Sequence, residues 1–308
     1  MASWTEALYP KGIAQATRNL RPPRLRPTLP RVKILSLIKE NKKLGPDQRR
    51  GMQTTGIIAE VEDKKIALYA SGRKHSGENV AELIKERRIG LKIPIQMADP
   101  LAANWSGEYE REEVNCLAHA RRQFTDIEKN NPRECKVVLD AIGEVYKIES
   151  ETKGLSDLQR LHHHQQKSGE VMSELKAWIE KQIAEKRVEP NDSLAKAYSY
   201  FLRHFNELTQ FLHLEGCPID NNEVERALKL VVLNRKNALF YKTENGAFVA
   251  DLLMSVMKTC ELNGVRAWDY LLELMRNRDR LRREPDQWLP WNYKMKSDQS
   301  NSVQPLAA

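Results

Sequence analysis

The stretch Met52-Gln-Thr-Thr-Gly-Ile-Ile-Ala-Glu-Val61, with Ile66-Ala-Leu-Tyr-Ala70 shortly after it, decides which fold to expect. Both runs are rich in β-branched and other apolar residues, which favour β-strands. The four residues between them, from Glu62 to Lys65, are all charged and suit a surface turn. The sequence therefore predicts two strands joined as a hairpin.

Three more elements flank this hairpin along the chain. Val32–Leu37 is a short β-like run before it, and Gly77–Arg87 has the apolar spacing of a helix after it. The apolar face of that helix comprises Val80, Leu83 and Ile84. A fourth strand-like run, Ile93–Met97, has a buried character and ends at Asp99-Pro100. Strands and a helix in this order predict a compact α/β unit.

Helical patterns dominate the sequence from Glu112 to Leu214. Apolar residues recur there three and four positions apart, as on the buried face of a helix. The same pattern returns after Asp220. The clearest segments are Val137–Ile148, Val171–Ala184, Ser193–Leu214 and Ala247–Leu262. A large helical region is therefore expected to follow the α/β unit.

The composition is that of a soluble protein of about two domains. Of the 308 residues, 41% are hydrophobic and 30% are charged. No segment approaches the roughly 18 apolar residues of a membrane span, and the N-terminus has no secretory h-region. The four cysteines, Cys116, Cys135, Cys217 and Cys260, lie far apart in the sequence. These features predict reduced thiols and a cytoplasmic location, without a membrane partner.

The net charge of +8 is concentrated at one end of the chain. Residues 1–50 hold 12 Lys and Arg against 3 Asp and Glu, whereas the other 258 residues hold 38 basic and 39 acidic side chains. The Pro- and Arg-rich segment Arg21–Arg31 predicts an extended or disordered arm. Such an arm could bind phosphates or have no role, and composition leaves both open.

The stretch Pro218–Lys229, PIDNNEVERALK, gathers polar and acidic residues before a helical pattern. Asp220, Asn221 or Asn222 can cap the helix, and acids in its first turn suit the helix dipole. Alternatively, one of its carboxylates belongs to a metal site that Asp99 completes from the end of the fourth strand. Asp99 can equally be a cap before Pro100. Phosphoryl transfer on DNA commonly uses two divalent cations held by such split carboxylates.

Several motifs in this chain are long and specific. They are Gly72-Arg-x-His75-x-Gly77-Glu78-Asn79, Gln96-Met-x-Asp99, Cys116-Leu-Ala-His119-Ala-Arg121-Arg122-x-Phe124, Asp220-Asn-Asn-x-x-Glu225-Arg-Ala-Leu, Arg235-Lys236-Asn237 with Leu239-Phe240, and Trp288-x-Pro290-Trp291-Asn292-Tyr293. Together they resemble the sixty-six family of bacterial insertion-sequence transposases, from about Arg31 to Tyr293. The resemblance implies a DDE transposase whose α/β core is RNase H-like, a mixed sheet with flanking helices interrupted by a large all-helical insertion.

The resemblance and the patterns together divide the chain into five parts. Residues 1–30 form the basic arm, residues 31–110 and 215–262 the two parts of the catalytic core, and residues 111–214 the helical insertion. Residues 263–308 form a C-terminal helix and a tail.

Two catalytic acids follow from the resemblance. Asp99 corresponds to the second acid and Glu225 to the third, because the family pattern places that acid directly before Arg226-Ala227. The adjacent Glu223 points about 160° away from Glu225 on a helix. Both acids are expected to hold Mg²⁺ or Mn²⁺, with two ions in an intact family member. Asp220, Asn221, Asn222 and His119 are expected to cap the helix or to orient the site.

The first acid is missing from this sequence. The family pattern expects Asp-Asp-Thr near Thr28-Leu29, but the chain has Arg26-Pro-Thr-Leu-Pro30, and no Asp or Glu lies between Glu6 and Glu40. We therefore expect that residues 1–30 result from truncation, rearrangement or a shifted reading frame. Without the bridging carboxylate two adjacent cations lack anionic compensation, so little or no strand cleavage is expected.

Other polar motifs suggest contacts with DNA more than metal binding. Cys116-x-x-His119 is half of a zinc pattern without a second half, and His162–His164 point in different directions on a helix. Arg121 and Arg122 can bind phosphates or form a solvated helix face. The remaining DNA-contact candidates adjoin the acid-bearing helix and comprise Arg235, Lys236, Asn237 and Lys242.

The leading prediction is a DNA transposase that hydrolyses a phosphodiester with metal ions and then transfers the freed 3′-hydroxyl to target DNA, although this copy is expected to be inactive. The alternative is a non-enzymatic, transposase-derived protein that binds DNA or assembles with an intact relative. In both cases the expected partners are double-stranded DNA, at the ends of the insertion sequence and at the target, and further copies of the protein.

Overall fold

The computed structural model describes residues 24–28, 31–61, 64–85, 92–105 and 107–293. Within these ranges one mixed sheet has the strand order β3-β2-β1-β4-β5. Its strands are β1 (Arg24–Thr28), β2 (Gln53–Val61), β3 (Lys64–Gly72), β4 (Ile95–Ala98) and β5 (Glu112–Asn115). Strand β2 is antiparallel to β1 and β3, and β1 is parallel to β4. The predicted α/β class with a mixed sheet is confirmed.

Helices make up most of the rest of the described chain. In order they are α1 (Leu35–Asn41), α2 (Ser76–Lys85), α3 (Leu117–Thr125), α4 (Pro132–Glu151), α5 (Asp157–Ala184), α6 (Ser193–Arg203), α7 (Phe205–Leu208), α8 (Asn222–Ala238), α9 (Glu244–Leu262), α10 (Ala267–Arg276) and α11 (Arg278–Arg283). Short 3₁₀ turns lie at Ala102–Asn104, Gln210–Leu212 and Pro285–Trp288. Across the described ranges, no helix combines the length and apolar character that a bilayer crossing requires.

The predicted hairpin is the β2–β3 pair, in register from Gln53 opposite Gly72 to Val61 opposite Lys64. Successive side chains of a strand point to opposite faces of the sheet. Ile57 and Ala59 therefore lie in one apolar cluster, and Ile58 lies in a second cluster on the other face. The second cluster is built against α8. A Cβ atom at Gly56 would lie 2.7 Å from Leu228 Cδ2, so any larger residue there would force the Leu228 side chain to shift.

Helix α9 covers the outer edge of β3 with polar side chains. Asp251, Ser255, Thr259 and Asn263 follow one another at four-residue intervals along the helix and its end. They accept hydrogen bonds from the backbone N–H groups of alternate β3 residues, namely Ser71, Tyr69, Ala67 and Lys65, at 2.6 to 3.3 Å. Four helical residues rise about 6 Å and two strand residues about 6.6 Å, so the two spacings nearly match. The ladder satisfies an edge that would otherwise invite pairing.

The chain divides into two compact units. The first comprises the described residues within Met1–Gln96, Leu101–Glu112 and Glu223–Ala308, and the second those of Met97–Pro100 and Glu113–Asn222. The limits of the second unit at 113 and 222 lie near the predicted limits of the helical insertion at 111 and 214. Its interior includes an aromatic group of Phe124, Trp178, Tyr198 and Phe201.

A buried ion cluster joins α4 and α5 within the second unit. Glu149 binds Arg160 at 3.0 Å, and the fully buried His164 lies 2.6 Å from the same carboxylate. Ser168 lies 2.9 Å from the other nitrogen of that ring. The neighbouring His163 contacts a different acid, since its ring lies 3.0 Å from Glu151.

The predicted strand Val32–Leu37 is wrong. Arg31 and Ile34 form isolated bridges to Gln53 and Tyr241, and α1 starts at Leu35. Ile34 and Leu37 are both buried at a helical spacing of three residues. A short apolar run is ambiguous between strand and helix, and here the helical spacing prevails because both side chains reach the same cluster.

The predicted disordered arm of residues 1–30 is wrong at Arg24–Thr28, which forms β1 inside the sheet. Leu25 is buried in a core cluster, and its backbone pairs with Ala59. Backbone pairing on both sides and one buried leucine outweigh the Pro- and Arg-rich composition. Residues 1–23 and 29–30 lie outside the described ranges.

The prediction of helix from Glu112 onward is wrong for its first four residues. Glu112–Asn115 forms β5, because Glu112 N–H donates to Pro94 and Cys116 N–H donates to Ala98 at either end of it. Helix begins at Leu117 and then continues through α3 to α7. The helices predicted after Asp220 and over Ala247–Leu262 are present as α8 and α9. The helix predicted over Gly77–Arg87 is present as α2 up to Lys85, and Glu86 and Arg87 lie outside the described ranges.

Candidate active site and nucleic-acid interface

Asp99, the predicted second acid, directly follows β4 and is half-buried in the second unit. Burial raises the pKa of Tyr200 above its ordinary value, and nearby Asp99 and Cys116 raise it further. The carboxylate of Asp99 therefore lies close enough to Tyr200 to act on it electrostatically.

Glu225, the predicted third acid, is half-buried in the first turn of α8. It belongs to the first unit, whereas Asp99 belongs to the second. The predicted convergence of these two carboxylates on one cation therefore stays a prediction.

Glu223, two residues before Glu225, lies in a cluster of four ionised side chains. Its two carboxylate oxygens accept hydrogen bonds from Arg26 at 3.0 Å and from Lys65 at 2.7 Å. Arg26 also donates to Glu60 at 2.9 Å, so one guanidinium joins two carboxylates from different elements. The Arg26 side chain is only 9% exposed. Removal of any one member leaves a poorly solvated charge.

The ionisation of Glu223 follows from these partners. Burial alone would raise the pKa of its carboxyl group. The hydrogen bond from Lys65 and the charges of Arg26, Lys65 and Arg226 outweigh burial and hold the pKa below its ordinary value. Glu223 is therefore a carboxylate at neutral pH, and its charge is already compensated within the protein.

Strand β1 offers no carboxylate to a metal site. Its sequence is Arg-Leu-Arg-Pro-Thr, and Asp99 follows the strand that runs parallel to it. Over the described part of the chain, no three His, Cys, Asp or Glu side chains gather as possible metal ligands. Two adjacent divalent cations need several carboxylate oxygens and one shared between them, and β1 contributes none.

The polar run before α8 forms a local hydrogen-bonded turn. The Asp220 carboxylate accepts hydrogen bonds from the backbone N–H of Asn222 at 3.0 Å and from the Asn222 side chain at 2.6 Å. Asn221 is 2% exposed, and its backbone N–H donates to Cys116 Sγ at 3.3 Å. These contacts fix the start of α8, whose first turn carries both glutamates.

Cys116 and His119 do not have the character of zinc ligands. Burial raises the pKa of the Cys116 thiol to about 11, although hydrogen bonds from Asn221 and His119 act in the opposite direction. Zinc binds a thiolate, so a neutral, fully buried thiol is a poor ligand. The half-buried His119 donates its backbone N–H to Cys116 O at 3.1 Å. Both residues are thus part of the turn that opens α3.

The predicted DNA contacts Arg121 and Arg122 line a cavity of about 580 Å³ in the second unit. Both are exposed, and Asn222 and Tyr146 form other parts of the wall. Burial raises the pKa of Tyr146 above its ordinary value, Asp220 raises it further, and the charge of Arg121 acts in the opposite direction. Two guanidinium groups lie here beside hydroxyl and amide donors, which can contact a phosphate, and the carboxylate of Asp126 lines the same cavity.

The other predicted DNA contacts surround the C-terminal end of α8. Lys236, Asn237 and Lys242 are exposed, whereas Arg235 is half-buried and donates to the carbonyl of Arg31 at 3.1 Å. The structure therefore leaves three of the four side chains directed to solvent in one short segment.

Sequence reasoning missed the cluster of Arg26, Glu60, Lys65 and Glu223. The acids were assigned no role, and Arg26 was placed in a disordered arm. Arg26 and Glu223 are 197 positions apart, so no local pattern could join them. An alternation of Arg24 and Arg26 around an apolar Leu25 was the available signal, because it has the period of a strand.

Comparisons with known proteins agree with the motifs. A family model described as "Transposase IS66 family" matches residues 50–248. Uncharacterized protein y4jD of Sinorhizobium fredii is 34% identical over 183 residues, covering 58% of this chain and 35% of that protein. Uncharacterized protein y4hP of the same organism is 31% identical over 196 residues, covering 59% and 35% respectively. The chain thus spans about a third of the length of the curated relatives it matches. No solved structure matches it.

The family model covers more than half of the 308 residues, including the hairpin, the Asp99 segment and the whole of α8. It also covers the predicted DNA contacts from Arg121 to Lys242. The chain therefore belongs to the IS66 family of transposases.

Proposed function

We propose that this chain binds double-stranded DNA as a transposase-family protein but does not cleave DNA strands by itself. The observation that carries the proposal is the composition of β1. This strand lies between β2 and β4, and its Arg26 donates hydrogen bonds to Glu223 and Glu60. The family resemblance leads us to expect a metal-binding carboxylate in this part of the chain instead. In complete family members the proposed activity is strand cleavage and strand transfer by an RNase H-like DDE core.

Divalent cations, where such a core holds them, activate the attacking hydroxyl and stabilise the leaving oxygen. The resemblance assigns Asp99 and Glu225 to this task, but β1 supplies no third carboxylate. Arg26 instead forms ion pairs with Glu60 and Glu223, so these two carboxylates are already engaged. The proposed consequence is weak metal binding and no turnover.

DNA binding does not require those acids. Exposed cationic and amide side chains at Lys236, Asn237 and Lys242, together with Arg121 and Arg122, can contact phosphates without any metal. Each phosphate contact releases counterions from the DNA, so the affinity for DNA falls as the salt concentration rises. The family resemblance also implies assembly of several copies on DNA and a cytoplasmic location, and both are part of the proposal.

DNA binding is tested by fluorescence anisotropy of a labelled duplex over a series of salt concentrations. The wild type should bind more weakly as salt rises, with a slope of about −0.9 for each phosphate contacted. The double variant Asp99→Asn, Glu225→Gln should bind within about twofold of the wild type, because neither acid touches phosphate in the absence of metal. No binding even at low salt would contradict the proposal.

Cleavage is tested separately with supercoiled plasmid and Mg²⁺ or Mn²⁺. The expected result is no nicking above that of a Glu225→Gln control prepared in the same way. Metal-dependent nicking that Asp99→Ala abolishes would show that the chain is an active nuclease, and the non-cleaving part of the proposal would then be wrong.

A further inference from the structure

Helix α8 ends in a short connection that presents two large apolar side chains to solvent. Leu239 is 64% exposed and Phe240 is 46% exposed. We refer to these two residues as the apolar tip. Adjacent large apolar side chains at one exposed turn are unfavourable in water, and they indicate contact with another molecule.

The backbone at the tip is also unusual. Leu239 has a φ of 60°, in the left-handed region, where it ends α8. Helices often end in this conformation, but glycine or asparagine normally adopts it because other side chains are strained there. The other non-glycine example in the described chain is the polar Lys186, which follows α5. Leu239 gains little burial in return, so its side chain is explained better by a role outside the fold.

Hydrogen bonds on both sides hold the tip in place. Leu239 N–H donates to Arg235 O at 2.9 Å, as in the last turn of a helix. Tyr241 N–H donates to Lys33 O, and Leu35 N–H donates to Tyr241 O, both at 2.9 Å. Asn234 donates to the Tyr241 hydroxyl at 2.5 Å. The tip is therefore presented with little conformational entropy left to lose on binding.

The surroundings of the tip are positively charged. From Arg226 to Thr243 the sequence contains no Asp or Glu, and Lys236 and Lys242 are exposed on either side of the tip. Proteins that bend duplex DNA insert an apolar side chain between base pairs while flanking cations hold the phosphates. The apolar tip between two exposed lysines has the same arrangement of apolar and cationic side chains. Acidic residues near the tip would repel DNA phosphates but would not disfavour a protein partner, so their absence from this segment favours DNA.

We propose that Leu239 and Phe240 insert between adjacent base pairs of duplex DNA while Lys236 and Lys242 bind the phosphates on either side. The inference rests on the proposed function, since it requires that the chain binds DNA, and it adds how the DNA is distorted. Insertion unstacks one base step and bends the helix axis, so that the ends of a short duplex approach each other.

The test is energy transfer between dyes at the two ends of a short duplex, measured at saturating protein. The wild type should increase the transfer. The double variant Leu239→Gly, Phe240→Ala should abolish most of that increase, and Lys236→Gln with Lys242→Gln should retain it while lowering the salt slope by about two. Leu233→Ala is the matched control, because Leu233 is another exposed leucine of α8, 56% exposed and away from the tip.

Glycine at position 239 accommodates the observed φ, which offsets part of the burial lost with the Phe240 ring, so the unfolding midpoint of the tip variant in urea should stay close to that of the wild type. Unchanged energy transfer in that variant, or wild-type binding without any increase, would overturn the insertion while leaving DNA binding intact. The tip variant could also change its oligomeric state, measured by light scattering, while it still bends DNA normally. That result would assign the tip to contact with a second copy of the chain and would also overturn the insertion. Wild-type protein that binds no DNA would overturn the proposed function as well.

Discussion

Glu223 and Asp251 are both carboxyl groups removed from water in the first unit, yet their surroundings shift their pKa values in opposite directions. Glu223 on α8 has two cationic partners, Arg26 and Lys65. Asp251 on α9 accepts hydrogen bonds from two neutral donors, the backbone N–H of Ser71 at 2.6 Å and the Ser71 hydroxyl at 2.8 Å. The pKa of Glu223 lies below its ordinary value. Burial raises the pKa of Asp251 from 3.8 to about 6, although both Ser71 bonds lower it.

The difference teaches that hydrogen bonds alone do not keep a buried carboxylate ionised at low cost. Neutral donors offset part of the lost hydration, whereas a cation also supplies compensating charge. The two sites therefore contribute to stability in opposite pH ranges. Glu223 adds stability above its unfolded pKa, and this is lost as pH falls. Asp251 adds stability below about pH 4, and this is lost as pH rises through about 6.

The largest effect is expected from Arg26→Met, which removes the cation shared by Glu60 and Glu223. Two half-buried carboxylates then lose a partner, and the free energy of unfolding should fall by about 3 kcal/mol at pH 7.5. Urea denaturation measures this loss. Arg49→Met is a matched control, because Arg49 pairs with Glu78 at the surface and should cost under about 1 kcal/mol. Equal losses in the two variants would contradict the compensation of Glu223 by Arg26.

A gain in stability is expected from Asp251→Asn. An amide oxygen can still accept from Ser71 N–H, and the variant carries no charge to bury. Ionised Asp251 costs about 3 kcal/mol for a pKa shift of about two units, so the variant should gain about 2 kcal/mol at pH 8 after weaker hydrogen bonding. Below pH 4 the gain should disappear, because Asp251 is then protonated. Denaturation at both pH values tests the sign, and a loss of stability at pH 8 would show that the charged form is favoured.

The sequence could predict the Asp251 region better than the Glu223 region. The hairpin follows from local β-branched composition, and α9 follows from apolar spacing, so the strand and the helix that meet at Asp251 were both expected. Their side-chain ladder was not predicted, because it depends on which face of α9 meets the edge of β3. The Glu223 cluster depends on Arg26 of β1. The Pro- and Arg-rich composition of that segment predicted a disordered arm, so the strand was not expected.

The difference between local features, which the sequence predicts, and contacts between distant residues, which it does not, also applies to the candidate site. Asp220 accepts a hydrogen bond from the N–H of Asn222, the first residue of α8, and such a contact is set by residues within one turn. The partners of Glu223 come from two strands distant in sequence, and the convergence of Asp99 with Glu225 is of the same non-local kind. The exposed tip at Leu239 was visible only as part of a family motif, because its left-handed backbone and exposure require coordinates.

The smallest effect is expected from Lys65→Met, which leaves Glu223 with Arg26 as its remaining strong partner. Lys65 is 27% exposed, so water replaces part of its interaction, and the loss of unfolding free energy should be about 1 kcal/mol. The pKa of Glu223 should rise towards its ordinary value, so the acid-side loss of stability should begin at a higher pH than in the wild type. Denaturation between pH 3 and pH 7 measures both. Lys74→Met, which removes a surface pair with Glu82, serves as the control with no shift in that profile. If Lys65→Met cost as much as Arg26→Met, the compensation of Glu223 would be shared equally by both cations, and Arg26 would no longer be the centre of the cluster.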